Sequence, residues 1–181
     1  MKLSFIALTC LLLSACASSV DVDYRSGFDF SQIKTFQVQD TPVNTSKDTR
    51  VNNPFMQQRT VETLKAAFKT KGYSLSPGQP DVIIKYHLDI KQEVESDGSG
   101  VFFGFGTSTY NSALGMSYNV GGPSVASVDD LVLTIDVLDR QNALLWRGSL
   151  GRRLYAGSTP ATNNRLIQEL VTEILKRYPP R

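Results

Sequence analysis

The sequence predicts an α+β fold: a two-layer α/β sandwich in which two long helices pack on one face of a mixed, mainly antiparallel sheet. Three observations carry that expectation. Residues 81–94 and 128–139 alternate apolar and polar side chains with period two, the mark of strands with one face on a core and one wet. Residues 54–71, and a second stretch from 162 or 163 to 178, carry apolar stripes of helical period. The order is strand, helix, strand, variable segment, strand, strand, helix. Helices with one apolar stripe must cover a sheet. A strand–helix–strand crossover of this length favours right-handed parallel pairing of the flanking strands, and the later strands add an antiparallel hairpin.

Each element has its own warrant. Val20, Val22 and Tyr24 alternate with Asp21 and Asp23 and suggest a short strand. Residues 34–39, Lys-Thr-Phe-Gln-Val-Gln, read as a half-buried strand, and residues 40–52 as a polar loop with Pro42. Asn53-Pro54 is a helix start, because Asn caps and Pro suits the first turn. Met56, Thr60, Val61, Leu64, Ala67 and Phe68 share one face of that helix. Lys69 and Lys71 suit its C-terminal dipole, and Gly72 is a natural left-handed stop. In the strand of residues 81–94, Val82, Ile84, Tyr86, Leu88 and Ile90 oppose Ile83, Lys85, His87, Asp89 and Lys91. In the strand of residues 128–139, Leu131, Leu133, Ile135 and Val137 form one face. Arg140-Gln141-Asn142 turns the chain into a partner strand over 143–150, extending toward Tyr155, with Leu144 and Trp146 opposite Arg147. Residues 156–163 read as a loop with Pro160. The last helix buries Leu166, Ile167, Leu170, Val171, Ile174 and Leu175, and Pro179-Pro180 ends it.

The N-terminus has the anatomy of a secretory signal. Lys2 supplies the positive region, residues 3–13 are apolar apart from Ser4, Thr9 and Cys10, and Ser14 and Ala15 precede Cys16. The run is shorter than the ~20 residues a spanning helix needs. Leu13-Ser14-Ala15-Cys16 resembles the lipobox of bacterial lipoproteins. The resemblance implies cleavage before Cys16, a diacylglycerol on its thiol and an acyl chain on its new amine. Ala17 rather than Asp after the cysteine implies transfer to the outer membrane, facing the periplasm. The competing reading is a plain secreted chain in which Cys16 is incidental. On the lipoprotein reading the chain divides into a removed signal peptide (1–15), a lipidated tether (16–19) and a single periplasmic domain (20–181). That domain carries a flexible Gly- and aromatic-rich segment at 96–124.

Processing removes Lys2, taking Lys+Arg from 19 to 18 against 17 Asp+Glu, a balance near +1 that gives no electrostatic case for nucleic acid. The chain has two cysteines. Cys10 leaves with the signal and Cys16 takes the lipid, so no thiol remains for a disulfide, a zinc site or a nucleophile. His87 is the only histidine, which excludes multi-histidine metal sites. The residues call for no cofactor beyond the covalent lipid on Cys16.

Beyond the signal, "DFSQIKTF", "GYSLSPGQPDVIIKYHLDI", a Gly/aromatic-rich middle and "LVLTIDVLDRQNALLWRGSL" occur in that order, followed by an amphipathic helix. Together they resemble the bacterial lipoprotein family known as domain of unknown function 4136, most specifically at residues 81–88 and 134–148. The middle segment here is more Phe- and Ser-rich than is usual in that family. The family has no established activity, so the resemblance supplies no catalytic residue.

Two features are candidates for function. The first is a polar surface cluster of His87, Asp89, Asp136 and Arg147, which alternation places on the face away from the helices. It suits either cross-strand charge pairing or a polar site for an anionic or sugar-like ligand. The second is the 96–124 segment, whose Phe102, Phe103, Phe105, Tyr110 and Tyr118 sit among glycines. It reads as a mobile hairpin extension or as a contact surface for membrane or partner. Its glycines do not form a phosphate loop: the spacing is not GxGxxG and no Gly-Lys-Ser/Thr follows. No G-x-S-x-G elbow exists. The expectation is a non-catalytic envelope accessory or interaction module, held by its lipid and possessing a surface for another envelope protein. The alternatives are a periplasmic enzyme acting on envelope glycan or lipid, and a small-molecule or lipid carrier.

Overall fold

The computed structural model describes residues 20–43, 46–96, 125–155 and 157–180. The stretches read from the sequence as signal peptide and tether, Cys16 among them, lie outside these residues. Among the described residues, six strands form one mixed sheet: β1 (Asp21–Tyr24), β2 (Thr35–Val38), β3 (Ser74–Leu75), β4 (Val82–Ser96), β5 (Val125–Leu138) and β6 (Leu144–Arg153). Their spatial order is β1-β6-β5-β4-β2-β3. The pairs β1–β6, β6–β5 and β5–β4 are antiparallel; β4–β2 and β2–β3 are parallel. Helix α1 (Pro54–Thr70) connects β2 to β3, and α2 (Pro160–Leu175) follows β6. The class is α+β, and the parallel pair flanking α1 is the one the crossover predicts.

The sheet is built around β4 and β5, which pair from Ile83↔Leu138 to Ser96↔Val125. Alternation decides what each strand buries. Val82, Ile84, Tyr86 and Leu88 of β4 join Leu131, Leu133, Ile135 and Val137 of β5 in a single core cluster. The same cluster takes in Met56, Leu64 and Phe68 from α1 and Ile167, Leu170 and Ile174 from α2. Asn53 caps α1 through a bond from the Met56 amide to its side-chain oxygen, 3.0 Å, with Pro54 in the first turn. Gly72, at φ +92°, ends the helix in the left-handed region.

Trp146 is fully buried and lies edge-on to Tyr178, with ring centroids 5.2 Å apart. Gly148, two residues along the same strand, makes room for it. A Cβ there would stand 2.8 Å from Trp146 Cζ2 and 2.7 Å from Ile174 Cγ2 of α2. The indole thus fills the space that a side chain at 148 would need.

Several boundaries differ from the sequence expectation. Helix α2 begins at Pro160, within the stretch read as a loop, because the Thr159 hydroxyl accepts the Thr162 amide and Pro160 fits the first turn. The helix ends at Leu175 rather than 178, and the Tyr178 ring turns into the core. Leu144 does not share a buried face with Trp146. A register shift at Val137/Leu138 pairs Val137 with Trp146 and Leu138 with Leu144, leaving Leu145 as an extra residue. Leu145 is buried in consequence, and Leu144 is exposed. The sheet pairing also extends through Ser96 and Val125, so both strands reach farther than the alternation alone marked. The two-residue β3 and a short 3₁₀ turn at Phe30–Gln32 have no periodic signal to announce them.

Candidate site on the open sheet face

The cluster stands where three strand pairings converge. Register places Lys85 of β4 opposite Asp136 of β5, Asp136 opposite Arg147 of β6, and Arg147 opposite Asp23 of β1. Four adjacent strands therefore present a row of alternating charge across the sheet. Opposite charges facing each other on neighbouring strands stabilise the pairing.

At the centre of the row, Asp136 is 5% exposed. Arg147 grips it through both oxygens, Nε to Oδ1 at 2.6 Å and Nη2 to Oδ2 at 2.8 Å. His87 Nε2 lies 3.0 Å from Oδ2. Burial alone would push the Asp136 carboxyl up. The hydrogen bonds and charges of Arg147 and His87 outweigh it and hold the carboxyl below its ordinary value. The guanidinium of Arg147 is raised in turn, chiefly by its hydrogen bonds to Asp136, with a smaller contribution from the charge of Asp23. An acceptor-only carboxylate requires a donor at His87 Nε2, so the proton sits on that nitrogen.

The chemistry this permits is narrow. Both Asp136 oxygens are committed and its charge is matched by Arg147, so it is poorly suited to abstract a proton. Thr134 and Ser149 bring hydroxyls to the next row, but they bond each other at 2.9 Å, and among the described residues neither bonds His87. No Ser-His-Asp relay forms around His87 there.

Of the four candidates, His87, Asp136 and Arg147 meet. Asp89 does not join them: it is exposed, and its carboxylate accepts the amide of Ile90 at 2.8 Å. It stands two residues up the strand from His87, a step that moves it beyond the row Asp136 occupies. Asp89 nevertheless lines the same open depression of about 440 Å³ as His87, Lys91, Thr134 and Arg147. Ser46 completes that wall, and sequence reasoning missed it. The loop after β2 runs up the edge of β4, with the Gln39 amide on the Ile84 carbonyl (2.9 Å) and the Val43 amide on the Tyr86 carbonyl (3.0 Å). Arg50 then ties the loop to β5 through Asp129 at 2.7 Å. Val51, an apolar residue in this mainly polar loop, is buried where the loop docks.

A second polar junction lies just before the start of β4. Asp81 Oδ2 accepts the Lys34 amide (3.0 Å), the Thr35 amide (2.9 Å) and the Thr35 hydroxyl (2.8 Å), while Arg140 reaches Oδ1 at 2.7 Å. The Lys34 amide, then the Thr35 hydroxyl and amide, pull the Asp81 carboxyl down to about 2. This one side chain fixes the start of β2 against β4 and both against the β5–β6 turn.

The contact-segment candidates Phe102, Phe103, Phe105, Tyr110 and Tyr118 lie outside the described residues. Three further depressions, of about 690, 560 and 520 Å³, open on the described surface. Each of the four is lined by no more than one carboxylate. Among the described residues no helix is long and apolar enough to cross a membrane.

Comparison with known proteins adds a family and a fold relative. The family model described as Domain of unknown function (DUF4136) matches residues 20–180. A crystal structure of a PDZ domain protein from Parabacteroides distasonis is similar over 91% of this chain and 36% of its own, with a TM-score of 0.55 and 15% identity. The chain thus spans about a third of that protein's length, and at this identity the likeness concerns the fold alone. No curated protein matches the chain.

Proposed function

The chain belongs to the DUF4136 family, and we propose that this member is a lipid-anchored protein of the bacterial cell envelope. In this reading it sits on the periplasmic face of the outer membrane and acts as a non-catalytic accessory or interaction module. The observation that carries the reading is Leu13-Ser14-Ala15-Cys16, placed directly after a short apolar run and only four residues ahead of Val20, where the described domain begins. Several acyl chains on one residue hold a protein at a bilayer for long times, since each buried CH₂ contributes ~0.8 kcal/mol.

The site geometry supports a surface role over a catalytic one. Asp136, Arg147 and His87 satisfy one another, and no described depression brings two carboxylates together as glycoside hydrolysis requires. The open row of charges offers a patterned polar surface for another envelope protein. The joining of both helix stripes and the alternate strand residues in one cluster supports a two-layer arrangement, with the helices on one face and that polar surface on the other.

The test is metabolic labelling with radioactive palmitate and membrane fractionation of the wild type and Cys16→Ala. The wild type is expected to carry label and to fractionate with the outer membrane; the variant is expected to lose both. Label retained by the variant would sink the proposal.

A further inference from the structure

An apolar and basic corner of the domain lies where the tether enters. Val20, Val22 and Tyr24 line a depression of about 690 Å³, closed on the other side by Lys176, Arg177 and the Pro179-Pro180 segment. Val22 is 37% exposed and Tyr24 47%, high for residues of their size in a domain that buries most of its large apolar side chains. Beyond the two prolines a second depression continues, and Lys34 and Lys71 line it with Asp29 as its one acid. The two depressions together are flanked by four basic side chains against one carboxylate, on a chain whose mature balance is near +1. Two of these cations are partly engaged: Lys176 pairs with Glu173 at 2.6 Å, and Lys71 donates to the Tyr178 carbonyl at 2.8 Å. Arg177 is exposed.

We infer that this corner rests on an anionic phospholipid surface, with Val22 and Tyr24 at the headgroup level and the basic side chains among the phosphates. The inference rests on lipidation of Cys16. Four residue steps separate Cys16 from Val20, a reach of at most ~14 Å, so Val20 and the wall it belongs to stay beside the bilayer. Tyr is a side chain whose apolar ring and polar tip suit that level. Each Lys or Arg near an anionic bilayer raises local partitioning by about fivefold. Asp21 and Asp23 alternate with Val22 and Tyr24 along β1, and neither lines the depression.

The test uses the mature lipoprotein reconstituted into vesicles of neutral phosphatidylcholine, with and without about a third phosphatidylglycerol. With Cys16 acylated, a single introduced cysteine takes a nitroxide label at Tyr24→Cys or Arg177→Cys, with Gln58→Cys and Lys91→Cys as controls. The readout is relaxation by an aqueous nickel chelate. Labels at 24 and 177 are expected to be shielded severalfold relative to 58 and 91, and more strongly with the anionic lipid. Equal accessibility at all four positions overturns the inference. So does equal shielding at 24 and 177 in the unlipidated Cys16→Ser protein without lipid or detergent, since that marks burial by a second copy of the chain rather than by a bilayer. The mass of the N-terminal peptide separates the two claims: acyl mass with uniform accessibility rejects this orientation alone, whereas absent acyl mass rejects the anchor and the orientation with it.

Discussion

Arg147 holds Asp136 through both carboxylate oxygens, at 2.6 and 2.8 Å, across the β5–β6 pair. The carboxylate is buried while the Arg147 side chain is 47% exposed, and this asymmetry decides how the pair responds to change. Removing Arg147 leaves a charge inside with His87 as its one remaining side-chain partner among the described residues. Arg147→Ala is expected to cost about 2 kcal/mol, below the ~3–5 of a fully buried pair because about half of the arginine side chain is already in water. The double variant Asp136→Leu/Arg147→Leu is expected to recover most of that loss, since both charges leave together. Urea denaturation of Arg147→Ala and of the double variant measures the difference.

The acid limb of stability should carry the signature of Asp81 and Asp136. Both have lowered folded-state values, Asp81 near 2 against an ordinary 3.8. Their contributions are therefore fully present above pH ~4 and are lost as pH falls through the folded values. For Asp81, part of whose side chain is in water, the contribution is about 1 kcal/mol once screening is allowed for. The stability gap between the wild type and Asp81→Asn is expected to hold constant from pH 7 to about 4 and to shrink between about 4 and 2. Chemical denaturation at fixed pH steps follows it; a gap that grows on acidification contradicts the account of this junction.

The Trp146–Gly148 packing predicts a sharp response to a single methyl. Gly148→Ala puts a Cβ against both the indole and Ile174, neither of which has space to yield without disturbing α2. The expected cost is about 3 kcal/mol, at the upper end for overpacking. The fluorescence of Trp146, the one tryptophan, is expected to shift red if the ring is displaced, and the thermal midpoint to fall by several degrees. A variant that melts with the wild type and keeps its emission maximum contradicts this packing.

Much of this fold is legible in the sequence, for a physical reason. In the stretches 82–88 of β4 and 131–137 of β5, every second residue is apolar and buried, and the one further buried residue is the ion-paired Asp136, so the period-two pattern survives. The helix stripes are equally clear because each turns one apolar face into the same core cluster. What stays hidden depends on relations between elements. His87, Asp136 and Arg147 are readable as residues of one face, but the row from Lys85 to Asp23 needs the strand order, which puts β1 beside β6 across more than 120 residues of chain. Asp89 illustrates the same limit: alternation gives its face and says nothing of its row. Leu144 and Leu145 exchange roles because of a bulge that leaves no mark in composition. Ser46 reaches the site through a loop whose docking is fixed by backbone bonds to β4, which side-chain patterns do not encode.

Helix α1 offers an independent check on local reasoning. Its cap is one side-chain oxygen on the Met56 amide, and Asn53 also donates to the Thr49 and Arg50 carbonyls at 3.0 Å each. Asn53→Ala is expected to cost about 1 kcal/mol and Asn53→Asp less, since the aspartate keeps the cap and favours the helix N-terminus while giving up the two donated bonds. Thermal unfolding by circular dichroism ranks the two variants against the wild type.

The lipid on Cys16 is tested most directly by the mass of the N-terminal peptide of the mature protein taken from membranes. The expected peptide begins at Cys16 and carries a thioether-linked diacylglyceryl group and an amide-linked acyl chain, and Cys16→Ser yields a precursor without lipid mass. A mature chain that begins at any other residue, or a Cys16 with a free thiol, contradicts the reading from which the proposed location and the proposed membrane-facing corner both follow.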